Sequence, residues 1–201
     1  MPARLVVFLD YQNVYSLARE CFHPPLAPAQ AGQIDPLRLG ELIATKSAER
    51  ELARVRVYRG RPDSRRDPRG YGANLRQCTR WERDPRVQVI WRTLRYPRNW
   101  PQEREEEKGI DVALAIDFVT MAVRGEYDVG VIMSTDTDLK PALEAVAAMG
   151  GNPYPRAEVA AWSTQAQHSR RLSIPGRRLW CHWLDEQDYR SVADPTDYTR
   201  P

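Results

Sequence analysis

The chain has 201 residues, 28% of them charged, yet a formal net charge of only +3. That length suits one domain with a real core, and no stretch approaches the roughly 18 apolar residues of a membrane span. The opening MPARLVVFLD is charged too soon for a signal peptide. The three cysteines, Cys21, Cys78 and Cys181, form no CxxC pair, which argues against a disulfide framework or a zinc knuckle. These features point to a soluble, cytoplasmic protein.

In chain order, Leu5 to Leu9 is a short apolar run that reads as a buried parallel strand ending at Asp10. Tyr11 to Cys21 is helix-like, and HPPLAP after it is a loop. Asp35-Pro36 offers a cap and a first-turn proline to a second helix. Val55, Val57 and Tyr58 predict a second strand, and RGRPDSRRDPRG a polar loop. Tyr71 to Arg83 reads as helix and Val87 to Trp91 as a third strand. Residues 93–107 read as a linker carrying the run EREEE. Ile110, Leu114, Phe118 and Met121 recur at helical spacing, so Lys108 to Val123 is expected to be a helix. Val129 to Met133 is the fourth strand. Asp138 is expected to cap a helix running to Met149, with Gly150-Gly151 as its stop. Val159 to Trp162 suggests a fifth strand, and Leu179 to Leu184 suits either a strand or a helix start.

Apolar strands alternating with amphipathic helices predict an α/β sandwich with a mostly parallel sheet. Such sheets bind ligands at the carboxyl ends of their strands. Asp10 follows the first strand, and Asp136 and Asp138 follow the fourth, so these acids fall on one rim with Asp111 from a helix start. Converging carboxylates without His or Cys suit Mg²⁺ or Mn²⁺ better than zinc. Taken singly, each acid has a plainer reading: a helix cap for Asp138, dipole complementation for Asp111, a strand-end polar residue for Asp10. Asn13 lies one helical turn beyond Asp10, either to cap the helix or to orient a water or phosphate.

Charge is unevenly spread. Between residues 50 and 98 fifteen arginines stand against five acidic residues, and 27 of the 30 basic residues are Arg. Guanidinium grips phosphate in a planar fork, so Arg59, Arg61, Arg65, Arg66 and Arg69 are candidate contacts to a nucleic-acid backbone. Arginine-rich coding bias accounts for the total but less well for the clustering. Lys108 either neutralises phosphate or pairs with Asp111.

Three blocks, FLDYQNV, KGIDVALAIDFVTMA and VGVIMSTDTDLKPALEAV, resemble in the same order the NYN domain, in its LabA-like branch. NYN domains belong to the PIN-like nuclease superfamily, and the resemblance covers most of residues 4–162. It implies a PIN-like three-layer sandwich, a central parallel sheet flanked by helices, and a metal-dependent ribonuclease site at the sheet's carboxyl edge. By position the family's first acid falls on Asp10 and its asparagine on Asn13. The helix acid falls on Asp111, and the last pair on Asp136 and Asp138. This chain departs from the pattern with Thr135 where the family often has Gly, and Leu139 where it often has an aromatic. Asp117 matches a further recurrent acid, but six residues from Asp111 is about 240° around a helix, so both cannot face one ion.

The expected function is therefore hydrolysis of RNA, single-stranded by preference, by a Mg²⁺- or Mn²⁺-dependent endoribonuclease. A non-catalytic RNA- or protein-binding module and a metal-dependent phosphatase are the alternatives. Ser134 and Thr135 as nucleophiles lack a neighbouring His, and DTDL lacks the strand placement of a dehalogenase-like phosphatase. His23, His168 and His182 are scattered. Residues 1–165 are expected to form the nuclease domain and 166–201 an extension packed on it or trailing it. Self-association into a homo-oligomer is left open.

Overall fold

The computed structural model describes residues 1–47, 49–150, 155–164 and 171–200. Gly151, His168 and the expected boundary at residues 165 and 166 lie outside them. The elements, in chain order, are β1 (Ala3–Asp10), α1 (Tyr11–Phe22), α2 (Pro36–Thr45), β2 (Arg50–Arg61), α3 (Pro68–Trp81), β3 (Val87–Thr93), α4 (Ile110–Val123), β4 (Val129–Met133), α5 (Lys140–Ala148), β5 (Arg156–Trp162), β6 (Cys181–Leu184) and α6 (Glu186–Val192). The six strands form one sheet in the order β3-β2-β1-β4-β5-β6, with every neighbouring pair parallel.

Side chains of a strand alternate between faces, and β1 shows what that does to a buried sheet. Leu5, Val7 and Leu9 enter one apolar cluster with Val14, Ala18, Leu39, Ile43 and Trp81, from α1, α2 and α3. Val6 and Phe8 enter the other, with Leu114, Phe118, Leu143 and Val146 from α4 and α5. Helices thus cover both faces, which is why β1 and β4 read as unbroken apolar runs rather than as alternating ones. Phe8 meets the edges of Phe118 and Tyr127 at ring-centroid distances of 5.1 and 5.7 Å. No helix among the described residues is long and apolar enough to cross a membrane.

The chain order reverses at β1, whose neighbours are β2 on one side and β4 on the other. Adjacent connections then leave on opposite faces and open a crevice at the carboxyl ends of β1 and β4. Leu9 pairs with Met133, so Asp10 and Ser134 leave the sheet at the same level.

Several local expectations need correction. β2 continues through Arg59 and Arg61, so these two arginines stand on a strand pairing with β3, not in the polar loop. α3 begins at Pro68, because Asp67 accepts a hydrogen bond from the Gly70 amide and Pro68 is pre-set for the first turn. The turn Thr137–Leu139 is 3₁₀ and its cap is Asp136, not Asp138: the Asp136 side chain accepts from the Asp138 amide. Residues 93–107 are not a plain linker, since Arg95 and Glu106 bridge antiparallel within them. The ambiguous run at 179–184 contains β6, paired with β5. There Glu158 of β5 takes both guanidinium nitrogens of Arg50 at 2.8 and 2.9 Å and lies 2.8 Å from His182 of β6.

Gly130 sits on β4 where a Cβ would lie 2.7 Å from ring carbons of Phe118 and Tyr127. Gly130→Ala is therefore expected to destabilise by about 1–3 kcal/mol through overpacking, a drop of several degrees in a thermal melt for a domain of this size. An unchanged melting temperature would mean that the two rings yield without cost.

Candidate functional site

The crevice is built from two short segments that leave the sheet side by side. Asp10 ends β1 and caps α1, with Oδ1 accepting from the Asn13 amide at 3.3 Å. Its Oδ2 accepts from the Ser134 hydroxyl at 2.9 Å, just past β4. Ser134 Oγ in turn accepts from the Asp136 amide at 3.0 Å. A second stitch lies alongside. Asn13 Nδ2 donates to Thr135 Oγ1 at 3.1 Å, and Asn13 Oδ1 accepts from the Thr135 amide at 3.0 Å. The side chain of Asn13 is thus spent on holding the post-β4 turn against α1, and Ser134 and Thr135 serve as its fasteners.

Four carboxylates form a chain of like-charged neighbours here. Burial pushes Asp10 up to about 6, and the charges of Glu107 and Asp136 push it the same way, against the Ser134 hydroxyl and the Asn13 amide. Burial also raises Glu107, with Asp111 adding to it, while the Gly60 amide and Arg59 oppose. As a residue Glu107 is exposed, but its carboxylate lies against β2, where Oε1 accepts from the Gly60 amide; that end is the one whose desolvation counts. A Cβ at Gly60 would approach Leu94 Cδ2 to 2.2 Å and Glu107 Oε1 to 2.8 Å, so a larger residue there would displace both side-chain ends. None of Asp10, Glu107, Asp111, Asp136 or Asp138 forms an ion pair among the described residues, Lys108 with Asp111 included.

The sequence-derived acids are not gathered equally. The charge of Asp136 acts on Asp10, the half-buried Asp111 acts on Glu107, and Asp138 is exposed. Asp117 is elsewhere, its carboxylate taken by Arg56 at 2.5 Å and by the Tyr58 hydroxyl at 2.8 Å. Among the described residues no three His, Cys, Asp or Glu side chains come together as a ready ligand cluster. Glu107 was hidden by its setting: in EREEE it is one acid among four, and only the turn at Gly109, with φ of 71°, marks where the run bends into α4.

A cleft of about 620 Å³ opens next to these acids, lined by Gln12, Arg59, Gly60, Asn74, Gln77 and Glu107 among others. Arg59 forms its cationic wall. Its guanidinium lies 4.8 Å from the Tyr11 ring centroid and 5.3 Å from that of Trp81, and Nη1 donates to Gln77 at 2.7 Å. Arg59 Nε and Trp81 Nε1 are buried donors with no hydrogen-bond partner among the described residues. The outer arginines differ. Arg61 stacks on Trp91 at 3.7 Å and Arg66 on Tyr96 at 5.2 Å, while Arg65 and Arg69 are exposed.

The raised Asp10 has a consequence for stability. Between the ordinary carboxylate range and about 6, the unfolded chain has lost this proton and the folded one keeps it, so stability falls as pH rises. By neutral pH the loss is about 3 kcal/mol at ~1.4 kcal/mol per unit. In EDTA, Asp10→Asn should therefore melt higher relative to wild type at pH 8 than at pH 4. Thermal melts of both proteins at the two pH values check this, and a gap independent of pH would contradict it.

The NYN domain family model matches residues 4–154, which takes in every element from β1 to α5. A crystal structure of a protein of unknown function from Vibrio parahaemolyticus is similar at 18% identity and a TM-score of 0.49, over 79% of this chain and 81% of that one. No curated protein matches. With three-quarters of its length under the family model, and a parallel six-stranded sheet between two helical layers, the chain belongs to the NYN domain family of PIN-like, nuclease-type domains.

Proposed function

We propose that this protein is an endoribonuclease that hydrolyses RNA phosphodiester bonds with the help of Mg²⁺ or Mn²⁺. The observation that carries the reading is the Asp10 carboxylate, desolvated at the carboxyl rim under the charges of Glu107 and Asp136, with no cation paired to it among the described residues. Like charges held together out of water call for a positive partner. PIN-like nuclease domains usually use divalent metals, and the donor set is all oxygen, which suits a hard cation. Mg²⁺ keeps several waters and commonly needs only one or two protein carboxylates besides phosphate oxygens, so the lack of a three-residue cluster is compatible with it.

In this reading Asp10 and Asp136 hold the ion, with Asp111 and Glu107 on the facing lip and Asp138 at the mouth. When bound, such an ion supplies Lewis acidity to a phosphoryl oxygen and lowers the pKa of a water. Asn13 acts through Thr135: it fixes the distance between the two segments that carry Asp10 and Asp136. With Oδ1 accepting from the Asn13 amide and Oδ2 from the Ser134 hydroxyl, each oxygen of Asp10 keeps a further lone pair for an ion. Arg59 tempers Glu107 from within the cleft. Arg61, Arg65, Arg66, Arg69 and Lys108 guide the phosphate backbone toward it, and Trp91 and Tyr96 hold two of those guanidinium planes in place. The missing three-residue cluster is also what a non-catalytic RNA-binding module would display, and turnover separates the two readings.

Labelled single-stranded RNA should be cut in Mn²⁺ and left whole in EDTA. Asp136→Asn should fall to the EDTA level while retaining its melting temperature, because the amide keeps the shape and loses the charge. Wild-type inertness in both conditions would leave the binding module standing; full activity in Asp136→Asn would move the site elsewhere.

Changing Arg61, Arg65 and Arg66 together to Ala should weaken RNA binding about equally across sequences, since phosphate contacts carry no base information. Each lost contact should flatten the log–log dependence of affinity on salt by roughly 0.7 for a single strand. Titrations at several salt concentrations read this directly, and an unchanged slope would remove these arginines from the interface.

A further inference from the structure

The opposite rim of the sheet carries a surface of different character. At the amino ends of β2, β5 and β6 two clefts of about 490 and 530 Å³ adjoin, sharing Arg178, Leu179 and Trp180. Together their walls bring in Lys46, Arg50, Arg156, Arg171 and Arg177 as further cations. Glu158 is the one carboxylate among these lining residues, and it is already spent on Arg50 and His182. Lys46 is paired with Asp188 at 2.8 Å. That leaves a net positive groove built from Arg156, Arg171, Arg177 and Arg178.

Two indoles stand out of this groove into solvent. Trp180 is 61% exposed and Trp183 is 41% exposed. The Arg171 guanidinium lies 5.9 Å from the Trp183 ring centroid. A large exposed aromatic is an observation that asks for a cause, unlike a buried one. Indole faces among arginines offer a stacking platform for bases and a track for phosphates, the combination by which single strands are held without sequence preference.

We infer that this amino-terminal rim is a second binding surface, for single-stranded RNA outside the acidic crevice. The choice of RNA over another polyanion rests on the function proposed above; the surface itself stands on its own residues. Arg156 is level with Val129 and, through it, with Leu5, five residues before Asp10. At about 3.3 Å per residue along the strands and about 4.8 Å for each of the two strands crossed, the two sites are roughly 20 Å apart. A stacked strand advances about 3.4 Å per phosphate, so an RNA engaging both needs about six nucleotides or more between them.

The test uses fluorescence anisotropy of labelled RNA in EDTA, with no cleavage required, on the full chain carrying Arg156→Ala, Arg178→Ala and Trp180→Ala together. A twenty-nucleotide strand should bind roughly tenfold or more weakly, through two lost phosphate contacts and one lost stack, with the salt slope flattened by about 1.4. Arg156→Lys, Arg178→Lys and Trp180→Tyr together should restore most of the long-strand affinity, which a misfolded surface would not allow. Equal affinity of wild type and the Ala variant for the long strand would overturn the proposal. Competition by polyglutamate as effective as by RNA would also overturn it, showing a site for acidic protein. Because binding is read without turnover, a wild type that binds the long strand through this rim yet never cuts RNA would refute the nuclease alone.

Discussion

The hydrogen bond from Ser134 to Asp10 joins the ends of two strands that are 124 residues apart in the chain. Everything in the crevice depends on that join. It sets Asp136 next to Asp10, and it draws the Asp136 amide onto the same hydroxyl. The neighbouring Asn13–Thr135 pair makes the arrangement two-legged, so the turn after β4 cannot swing about a single contact. These small polar bonds offset part of the cost of a buried carboxylate without removing its charge. An ion pair with Arg or Lys would have stabilised Asp10 more simply, and would have closed the position to anything else.

The chemistry of the rim is a balance between attraction withheld and attraction supplied. Among the described residues the carboxylates are left without cationic partners, while the arginines around them are committed to other groups. Arg56 is bound to Asp117, Arg59 to Gln77 and two aromatic rings, and Arg61 to Asn74 and Trp91. A guanidinium laid on an aromatic face keeps its charge and loses its freedom to reach a nearby acid. Fixed cations can thus stand close to fixed anions without collapsing onto them.

The two rims of the sheet are distinguished by the same bookkeeping of partners. At the carboxyl rim the acids have no ion-pair partner among the described residues and Arg59 is enclosed; at the amino rim Glu158 is enclosed and the outer arginines face solvent. Against the burial that would raise it, His182 and Arg50 hold Glu158 below the usual carboxylate range. That buried cluster fastens β6, the edge strand, to the rest of the sheet, and with it the exposed Trp180 and Trp183. A parallel sheet gives every strand the same polarity, so one sheet presents two chemically distinct ends.

Alternating apolar runs and helical periodicities made the layered parallel sheet legible from the residues, because burial on both faces leaves few ways to order a strand such as LVVFL. The placement of Asp10, Asp111 and Asp136 near one rim was legible for the same reason: they directly follow or begin those elements. Asp138 as a cap was misplaced because two Asp residues two positions apart satisfy the same local rule, and only the 3₁₀ turn chooses Asp136. Arg59 and Arg61 looked like loop arginines because strand β2 is held past Tyr58 by its pairing with β3, a partner no local pattern announces. Glu107 was invisible in a run of acids until the fold pressed one of them against Gly60. The Arg50–Glu158–His182 cluster and the groove beside Trp180 join segments more than a hundred residues apart. Local order follows from propensity and period, which the sequence carries residue by residue; which charges meet, and which are kept from meeting, follows from strand order and register, which exist only once the chain has closed on itself.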